Sequence, residues 1–193
     1  FLNVVVLPYI TEGGFFLRKF NTKKIVYYAL LIALNVVLTR IGSIRIGGGG
    51  VEIVRIGFGG YPVIFAGIVF GPLAGGIVGA LGDIIGMIIS PMGPYMPHFT
   101  ISAALTGIIP GYIMRNCTNY ECKTSTKRLL IAIGVGQIIT SIILVPYFMK
   151  VLFGVPFAVS LPSRLISQAI TIPIYAYVTK VLINRLHVVF DIR

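Results

Sequence analysis

Residues Gly57–Gly111 read GFGGYPVIFAGIVFGPLAGGIVGALGDIIGMIISPMGPYMPHFTISAALTGIIPG. Glycines recur through this apolar run, and small residues on helix surfaces allow membrane helices to approach one another closely. The segment from Pro91 to Pro97 is rich in proline and interrupts the run before a second series of small residues. Asp83 and His98 are the acid and the histidine of the stretch. The stretch therefore predicts packed membrane helices beside the entrance of a binding site.

The composition of the whole chain indicates an integral membrane protein. Only 11% of its residues are charged, 56% are hydrophobic and the mean hydropathy is +0.96, whereas soluble domains carry about 25% charged residues. We expect a single membrane domain over residues 25–190, preceded by an apolar and basic cytoplasmic leader over residues 1–24. The net charge of +11 is explained by basic cytoplasmic loops. No basic stretch is interleaved with aromatic residues, so we expect no nucleic-acid partner.

Uncharged windows predict an all-α membrane protein with six transmembrane helices, because one span needs about 20 apolar residues. The Gly71-Pro72 pair predicts a turn between the second and third helices, since proline is favoured at the first position of a helix. The run Gly47–Gly50 predicts a loop without regular structure. The expected helix ranges are 25–41, about 53–70, 72–90, 98–114, 129–149 and 161–186.

The distribution of basic residues predicts the topology. Two spans between residues 53 and 90 place the basic N-terminal segment and the basic loop 115–128 on one side, which the positive-inside rule makes cytoplasmic. Both termini are then cytoplasmic. The outer face keeps one acid, Glu52, and a larger set of basic residues, which predicts an anionic ligand approaching from outside, with lipid phosphates as the alternative. The outer basic residues are Arg40, Arg45, Arg55, Lys150 and Arg164.

Polar side chains within the apolar segments are the candidate ligand contacts. Arg164 enters the apolar run from its outer edge, and Gln168 follows one turn later on the same face. An arginine there either donates a fork of hydrogen bonds to a ligand or reaches back to the headgroups. Asp83 either accepts from ligand N–H groups or pairs with Arg55 or Arg164. At the start of a helix, His98 is a candidate hydrogen-bond donor.

Aromatic residues border the same region and are candidates for stacking on a flat ligand. The alternative is the aromatic belt that membrane proteins place at both interfaces. The candidates are Phe58, Tyr95, Phe99 and Tyr147.

The sequence predicts a protein that is not an enzyme and holds no metal. It contains no Ser/His/Asp set, no paired carboxylates and no Walker lysine motif, so we expect no catalysis and no ATP hydrolysis by the chain itself. Cys117 and Cys122 form one C-x4-C pair without a nearby histidine, which argues against zinc.

Two small-xxx-small patterns predict close helix contacts. One consists of Ala29 and Ala33, and the other of Gly71, Gly75 and Gly79. The pattern does not distinguish a partner helix of the same chain from one of another subunit.

Several sequence blocks, in this order and spacing, give the chain its resemblance to a known family. It resembles the substrate-binding S components of energy-coupling factor (ECF) vitamin transporters, and most closely the folate-specific members. His98 is a departure, because that family has glycine at this position. The matching blocks are Arg55-Ile-Gly-Phe58, FGPLAGG at 70–76, GALGD at 79–83, PHFTISAALTG at 97–107 and LPSR at 161–164.

The resemblance implies a subunit of a bacterial cell-membrane importer. It implies six helices, a ligand cavity near the extracellular face, and contact of Ala29 and Ala33 with a transmembrane coupling (T) subunit. Two separate ATPase subunits would power a reorientation that releases the vitamin inside the cell. No cofactor is expected, only folate as ligand.

Folate combines a flat pteridine with a dianionic glutamate, which suits aromatic residues and arginines. For this ligand we predict Arg164, His98 and Gln168 as polar contacts, with Asp83 or a neighbouring residue at the pterin N–H edge. Arg45 and Arg55 would attract the glutamate. Alternatives are an S component for thiamine, riboflavin or pantothenate, a small membrane enzyme acting on anionic lipid, and a channel or self-assembling subunit.

Overall fold

The computed structural model describes residues 22–40, 42–48, 51–91, 95–115 and 124–190. Within these ranges, the side chains of 43–48, 51–56, 157–160 and 186–190 lie outside the description, as do those of two single residues, 23 and 163. Most of the predicted leader, and the cysteine pair, also fall outside it. The described elements are α1 (Thr22–Arg40), β1 (Ser43–Gly48), β2 (Val51–Gly57), α2 (Tyr61–Phe70), α3 (Pro72–Ile89), α4 (Pro97–Met114), α5 (Thr126–Gln137), a π-helical segment (Ile138–Leu144), α6 (Val145–Phe153) and α7 (Phe157–Phe190).

The predominantly helical class is confirmed. The described residues form six helical rods when Thr126–Phe153 is taken as one. Within the described ranges, three helical stretches are long and apolar enough to cross a bilayer, namely Pro72–Ile89, Thr126–Phe153 and Arg164–Arg185. The apolar helix Tyr61–Phe70 is shorter.

A β-hairpin corrects the prediction for residues 43–57. Strands β1 and β2 pair antiparallel, with Arg45 opposite Arg55. We expected a loop without regular structure at Gly47–Gly50 and a helix from about residue 53. Four of the seven residues of the segment 51–57, VEIVRIG, are β-branched, a composition that favours strands. A short apolar run does not by itself distinguish helix from strand. The second helix therefore begins only at Tyr61.

The turn between α2 and α3 is confirmed at Gly71-Pro72. Gly71 has φ 101°, a conformation that glycine adopts without the steric cost that a Cβ atom imposes. Its N–H donates to the Gly67 carbonyl oxygen at 3.1 Å, and Pro72 opens α3.

Helices α2, α3 and α4 meet at glycines, backbone against backbone. A Cβ atom at position 75 would lie 2.7 Å from the Gly107 carbonyl oxygen, and one at position 111 would lie 2.6 Å from the Gly67 carbonyl oxygen. A Cβ atom at Gly79 would collide with the carbonyl oxygen of Ala103. The predicted small-xxx-small contacts of Gly75 and Gly79 are therefore confirmed, and their partner is helix α4 of the same chain.

The buried hydrophobic core joins residues of the helices α1 to α5 and of α7. Its most buried large side chains include Ile64, Val78, Leu129, Ile133 and Tyr175. Because lipid tails are as apolar as these side chains, the core stabilises the bundle through van der Waals packing.

The rod Thr126–Phe153 changes its helical repeat before a proline. Residues Ile138–Leu144 are π-helical, and Pro146 follows in the first turn of α6. Proline cannot donate a backbone hydrogen bond, and its ring crowds the preceding turn. The π-helical segment therefore lies where the regular series of α-helical backbone hydrogen bonds is interrupted. Gly154, with φ 67°, ends α6. The interval 150–160 between the last two predicted helices is wrong in extent, because α6 ends at Phe153 and α7 begins at Phe157.

Candidate ligand-binding site

A cavity of about 340 Å³ opens at the end of the helix bundle that carries the hairpin. Small-molecule sites usually enclose about 300–1,000 Å³. Its wall is formed by the C-terminal turns of α1 and α3, the segment Gly57–Gly60, the N-terminal half of α4, the rod around its π-helical segment, and the N-terminal half of α7. Val63 of α2 also lines the cavity, so all six helical rods contribute side chains to its wall.

Five of the residues proposed from sequence lie together in this wall. They come from three helices and the segment before α4, separated by up to 85 positions in the chain, and include two charged residues, one amide and two aromatic rings. They are Asp83, Tyr95, Phe99, Arg164 and Gln168.

Three other predicted contacts lie outside the cavity wall. The imidazole of His98 is exposed and its ring centroid lies 5.0 Å from that of Phe148. Tyr147 packs on the same ring at 5.9 Å and is also exposed. Phe58 is exposed and lies 6.2 Å from Tyr175. The side chains of Arg45 and Arg55 lie outside the described part of the structure, so their predicted role stays a prediction.

Asp83 is held by a chain of two hydroxyl groups. The Thr100 hydroxyl donates to Asp83 Oδ2 at 2.8 Å, and the Tyr95 hydroxyl lies 3.1 Å from Thr100 Oγ1. A threonine hydroxyl has a single hydrogen. Because Thr100 gives its hydrogen to the carboxylate, Tyr95 must be the donor to Thr100. The chain links α3, α4 and the segment that precedes α4.

The amide side chains of Asn35 and Gln137 also line the cavity, and they were not among the contacts predicted from the sequence. The Thr39 hydroxyl donates to Asn35 Oδ1 at 3.0 Å, and the Ser141 hydroxyl donates to Gln137 Oε1 at 2.8 Å. Each amide oxygen is thus engaged within its own helix, which leaves the NH₂ group as donor. The signal was a pair of polar residues four positions apart in an otherwise apolar helix, which places them on one face.

Arg40 also lines the cavity and was not among the predicted contacts. Its guanidinium donates to the Ser90 carbonyl oxygen at 2.8 Å, so it fastens the end of α1 to the end of α3. It lies across Gly86, where a Cβ atom would approach Arg40 Nε to 3.0 Å. A cation at a helix C-terminus is also favoured by the helix dipole.

The side-chain oxygen of Gln168, in the α7 wall, is buried. Within the described residues this Oε1 atom has no hydrogen-bond partner. Buried polar atoms in proteins are nearly always satisfied. The oxygen therefore suits a donor on a bound molecule.

Tyr175 forms part of the cavity floor. Its hydroxyl donates to the Gly57 carbonyl oxygen at 3.1 Å, and its ring lies 5.5 Å from that of Tyr61. This hydrogen bond joins α7 to the end of β2.

The wall as a whole offers both hydrogen-bond donors and acceptors. Donors come from Arg40, Arg164 and the two amide NH₂ groups, and acceptors are Asp83 and Gln168. Phe99 and Phe153 add two nearly parallel rings, with centroids 6.5 Å apart. Such a wall suits a flat heterocycle that carries N–H groups and is attached to an anion. Among the described residues, no group of three or more His, Cys, Asp or Glu side chains is placed to hold a metal ion.

Comparison with known proteins gives the family. The model of the family described as "ECF-type riboflavin transporter, S component" matches residues 19–187. The chain is 38% identical over 162 residues to the folate transporter FolT of Clostridium novyi (strain NT), covering 84% of this chain and 87% of that protein. It is 25% identical over 173 residues to FolT of Leuconostoc mesenteroides, covering 86% of this chain and 87% of the relative.

The chain is also similar to solved structures. The chain superimposes on the crystal structure of FolT bound with folic acid with a TM-score of 0.71 and 33% identity, over 86% of this chain and 95% of that one. An S component for biotin from an ECF-type ABC transporter gives a TM-score of 0.66 at 21% identity, over 86% and 91% of the two chains. This second likeness concerns the fold alone.

The predicted resemblance is thus confirmed, and with it the expectation of a transport protein instead of an enzyme, because the relatives are transporter subunits. The family match covers most of the chain, and the Clostridium novyi relative covers a similar share of it. The chain belongs to the family of ECF-type transporter S components.

Proposed function

We propose that this chain is the folate-binding S component of an ECF-type importer, which captures folate outside the cell and releases it inside by reorientation. The observation that carries the proposal is the cavity wall, in which a carboxylate and two arginines flank a pair of aromatic rings. The similarity to FolT proteins, one of them solved with folic acid, supports the same ligand.

Folate matches the wall group by group. The pteridine presents N–H donors suited to Asp83 and Gln168, and carbonyl and ring nitrogen acceptors suited to the NH₂ group of Gln137. Its aromatic rings suit the apolar space beside Phe99, since stacked rings contribute about 0.5–1.5 kcal/mol beyond their burial. The glutamate carboxylates suit Arg164, because guanidinium–carboxylate pairs form two parallel hydrogen bonds.

Riboflavin is the second candidate ligand, because the matching family model carries that vitamin in its description. Riboflavin has a flat ring system but no carboxylate. Its ring also presents a single N–H between two carbonyl groups, which gives a carboxylate one donor and two repelling oxygens. The charges of Arg40, Arg164 and Asp83 therefore favour folate.

Titration of the purified chain with folate, followed by fluorescence quenching, tests the proposal. The chain has ten tyrosines and no tryptophan, so quenching of tyrosine emission reports binding. We expect saturable binding at submicromolar folate and much weaker binding of riboflavin. An absence of binding at micromolar folate contradicts the proposal, and tight riboflavin binding favours the alternative.

We further propose six membrane spans with both termini in the cytoplasm, in a bacterial cell membrane, and assembly with a T subunit and two ATPases. The support comes from the family and from one face of α1. Ala29 and Ala33 are exposed there, beside Val26 and Leu30, which is 66% exposed. An apolar face with small residues at its centre suits a closely packed partner helix.

Replacing Ala33 with phenylalanine should reduce folate uptake by roughly tenfold, which corresponds to about 1.4 kcal/mol of lost packing. Folate binding by the isolated subunit should stay unchanged, because Ala33 lies away from the cavity. Uptake is measured in cells that co-express the coupling subunit and the ATPases. Ala169→Phe, on an exposed position of α7, is the matched control, and equal uptake by both variants contradicts the proposed contact.

A further inference from the structure

Among the described helices, Asp83 is the sole acidic residue, and it lies between the cavity and the hydroxyl group of Thr100. The other four acids of the chain, Glu12, Glu52, Glu121 and Asp191, lie outside those helices. An ionisable group within a membrane helix is costly and usually has a function. Asp83 lines the cavity, while its partner Thr100 is buried behind it at 9% exposure.

The two hydroxyl groups hold the Asp83 carboxylate in place and leave it able to accept further hydrogen bonds. The bond from Thr100 engages one lone pair of Oδ2, and each carboxylate oxygen can accept two hydrogen bonds. Asp83 therefore retains accepting capacity on both oxygens, with its plane held by a bond from another helix. Donation from Tyr95 polarises the Thr100 hydroxyl and strengthens its bond to Asp83.

We propose that Thr100 and Tyr95 are positioning residues that aim the Asp83 carboxylate at two adjacent N–H groups of the ligand, so that the cavity selects a 2-amino-4-oxo ring over a 2,4-dioxo ring. The inference rests on the proposed function for the identity of the whole ligand. It names a residue, Thr100, that does not line the cavity and was not among the ligand contacts predicted from the sequence.

The selectivity follows from donor and acceptor geometry. A 2-amino-4-oxo ring presents its amino group and the neighbouring ring N–H side by side, and these match the two oxygens of a carboxylate. A 2,4-dioxo ring places a carbonyl oxygen opposite one carboxylate oxygen, which costs desolvation and repulsion. Discrimination requires that the carboxylate cannot rotate to avoid the carbonyl, and the bond from Thr100 prevents that rotation.

The experiment compares pterin with lumazine, two rings that differ in a 2-amino or a 2-oxo group and in the proton that the dioxo ring carries at N1, together with folic acid. Binding is measured by thermal shift and by fluorescence titration for the wild type, Thr100→Val and Tyr95→Phe. We expect the wild type to prefer pterin. Thr100→Val should lower the affinity for pterin and folate about tenfold, as loss of one hydrogen bond to a charged group implies, and should leave lumazine affinity nearly unchanged. Tyr95→Phe should lower the affinity for pterin and folate several-fold and should also leave lumazine affinity nearly unchanged.

Thr179→Val is the matched control, because Thr179 is fully buried on α7 and lies outside the cavity wall. It should not change the ratio of pterin to lumazine affinity. An equal loss for both rings in Thr100→Val, or no loss, overturns the positioning role even when the wild type binds folate. A preference for pterin that depends on Thr100 in a chain that fails to bind folate supports the positioning role and contradicts the proposed function.

Discussion

Gly107→Ala should destabilise the folded chain by about 3 kcal/mol, at the upper end of the effects of overpacking. A Cβ atom at this position would lie 2.6 Å from the carbonyl carbon and oxygen of Gly75 and 2.7 Å from its Cα. These are backbone atoms, so no side chain can rotate to make room. Helices α3 and α4 must separate, and that movement opens the contact of Gly67 with the same turn of α4.

Thermal unfolding of the purified chain in detergent measures the effect. Gly134→Ala is the matched control, because it is also a glycine inside a helix but its nearest neighbour, Ile172 Cγ2, lies 3.9 Å from the new Cβ position. Alanine there should be neutral or stabilising by up to about 1 kcal/mol, as helix propensity implies. Equal unfolding temperatures for Gly107→Ala and the wild type would show that the close helix contact is not required.

Arg164→Ala should weaken folate binding about a hundredfold, or about 2.8 kcal/mol. The guanidinium lines the cavity and its Nε atom is buried, so the carboxylate it binds loses a pair of charge-assisted hydrogen bonds in a region of low polarity. Arg164→Lys should show an intermediate loss, because lysine keeps the charge but not the planar fork.

Folate titration of both variants gives the result, with thermal unfolding as a check that they fold. Arg185, an exposed arginine near the other end of α7, provides the matched control, and Arg185→Ala should bind like the wild type. Unchanged folate affinity in a folded Arg164→Ala variant removes this residue from the site.

The helical rods and several site residues were accessible from sequence because the properties that reveal them are local. An uncharged run of sufficient length is a helix candidate wherever it occurs, and Gly71-Pro72 marks its own turn. Asp83 and Arg164 stand out because a charge in an apolar segment is costly wherever its partners lie.

Other features depended on partners distant in the chain. The β1–β2 hairpin was missed because a strand is stabilised by the strand it pairs with, and the β-branched residues of 51–57 are only a weak local signal for a strand. His98 and Thr100 are two positions apart at the start of α4. Residues in a helix turn by about 100° per position, so which of the two faces Asp83 depends on the rotation of α4 against α3.

The chain's own residues are enough to establish a membrane-embedded helical protein with a glycine-packed centre, since hydrophobic length and residue size act within each segment. The composition of the cavity wall required the assembled bundle. Asn35, Gln137, Gln168 and Asp83 come from four different helices. They meet only because the glycines between Gly57 and Gly111 bring α2, α3 and α4 into backbone contact and orient the remaining helices around them.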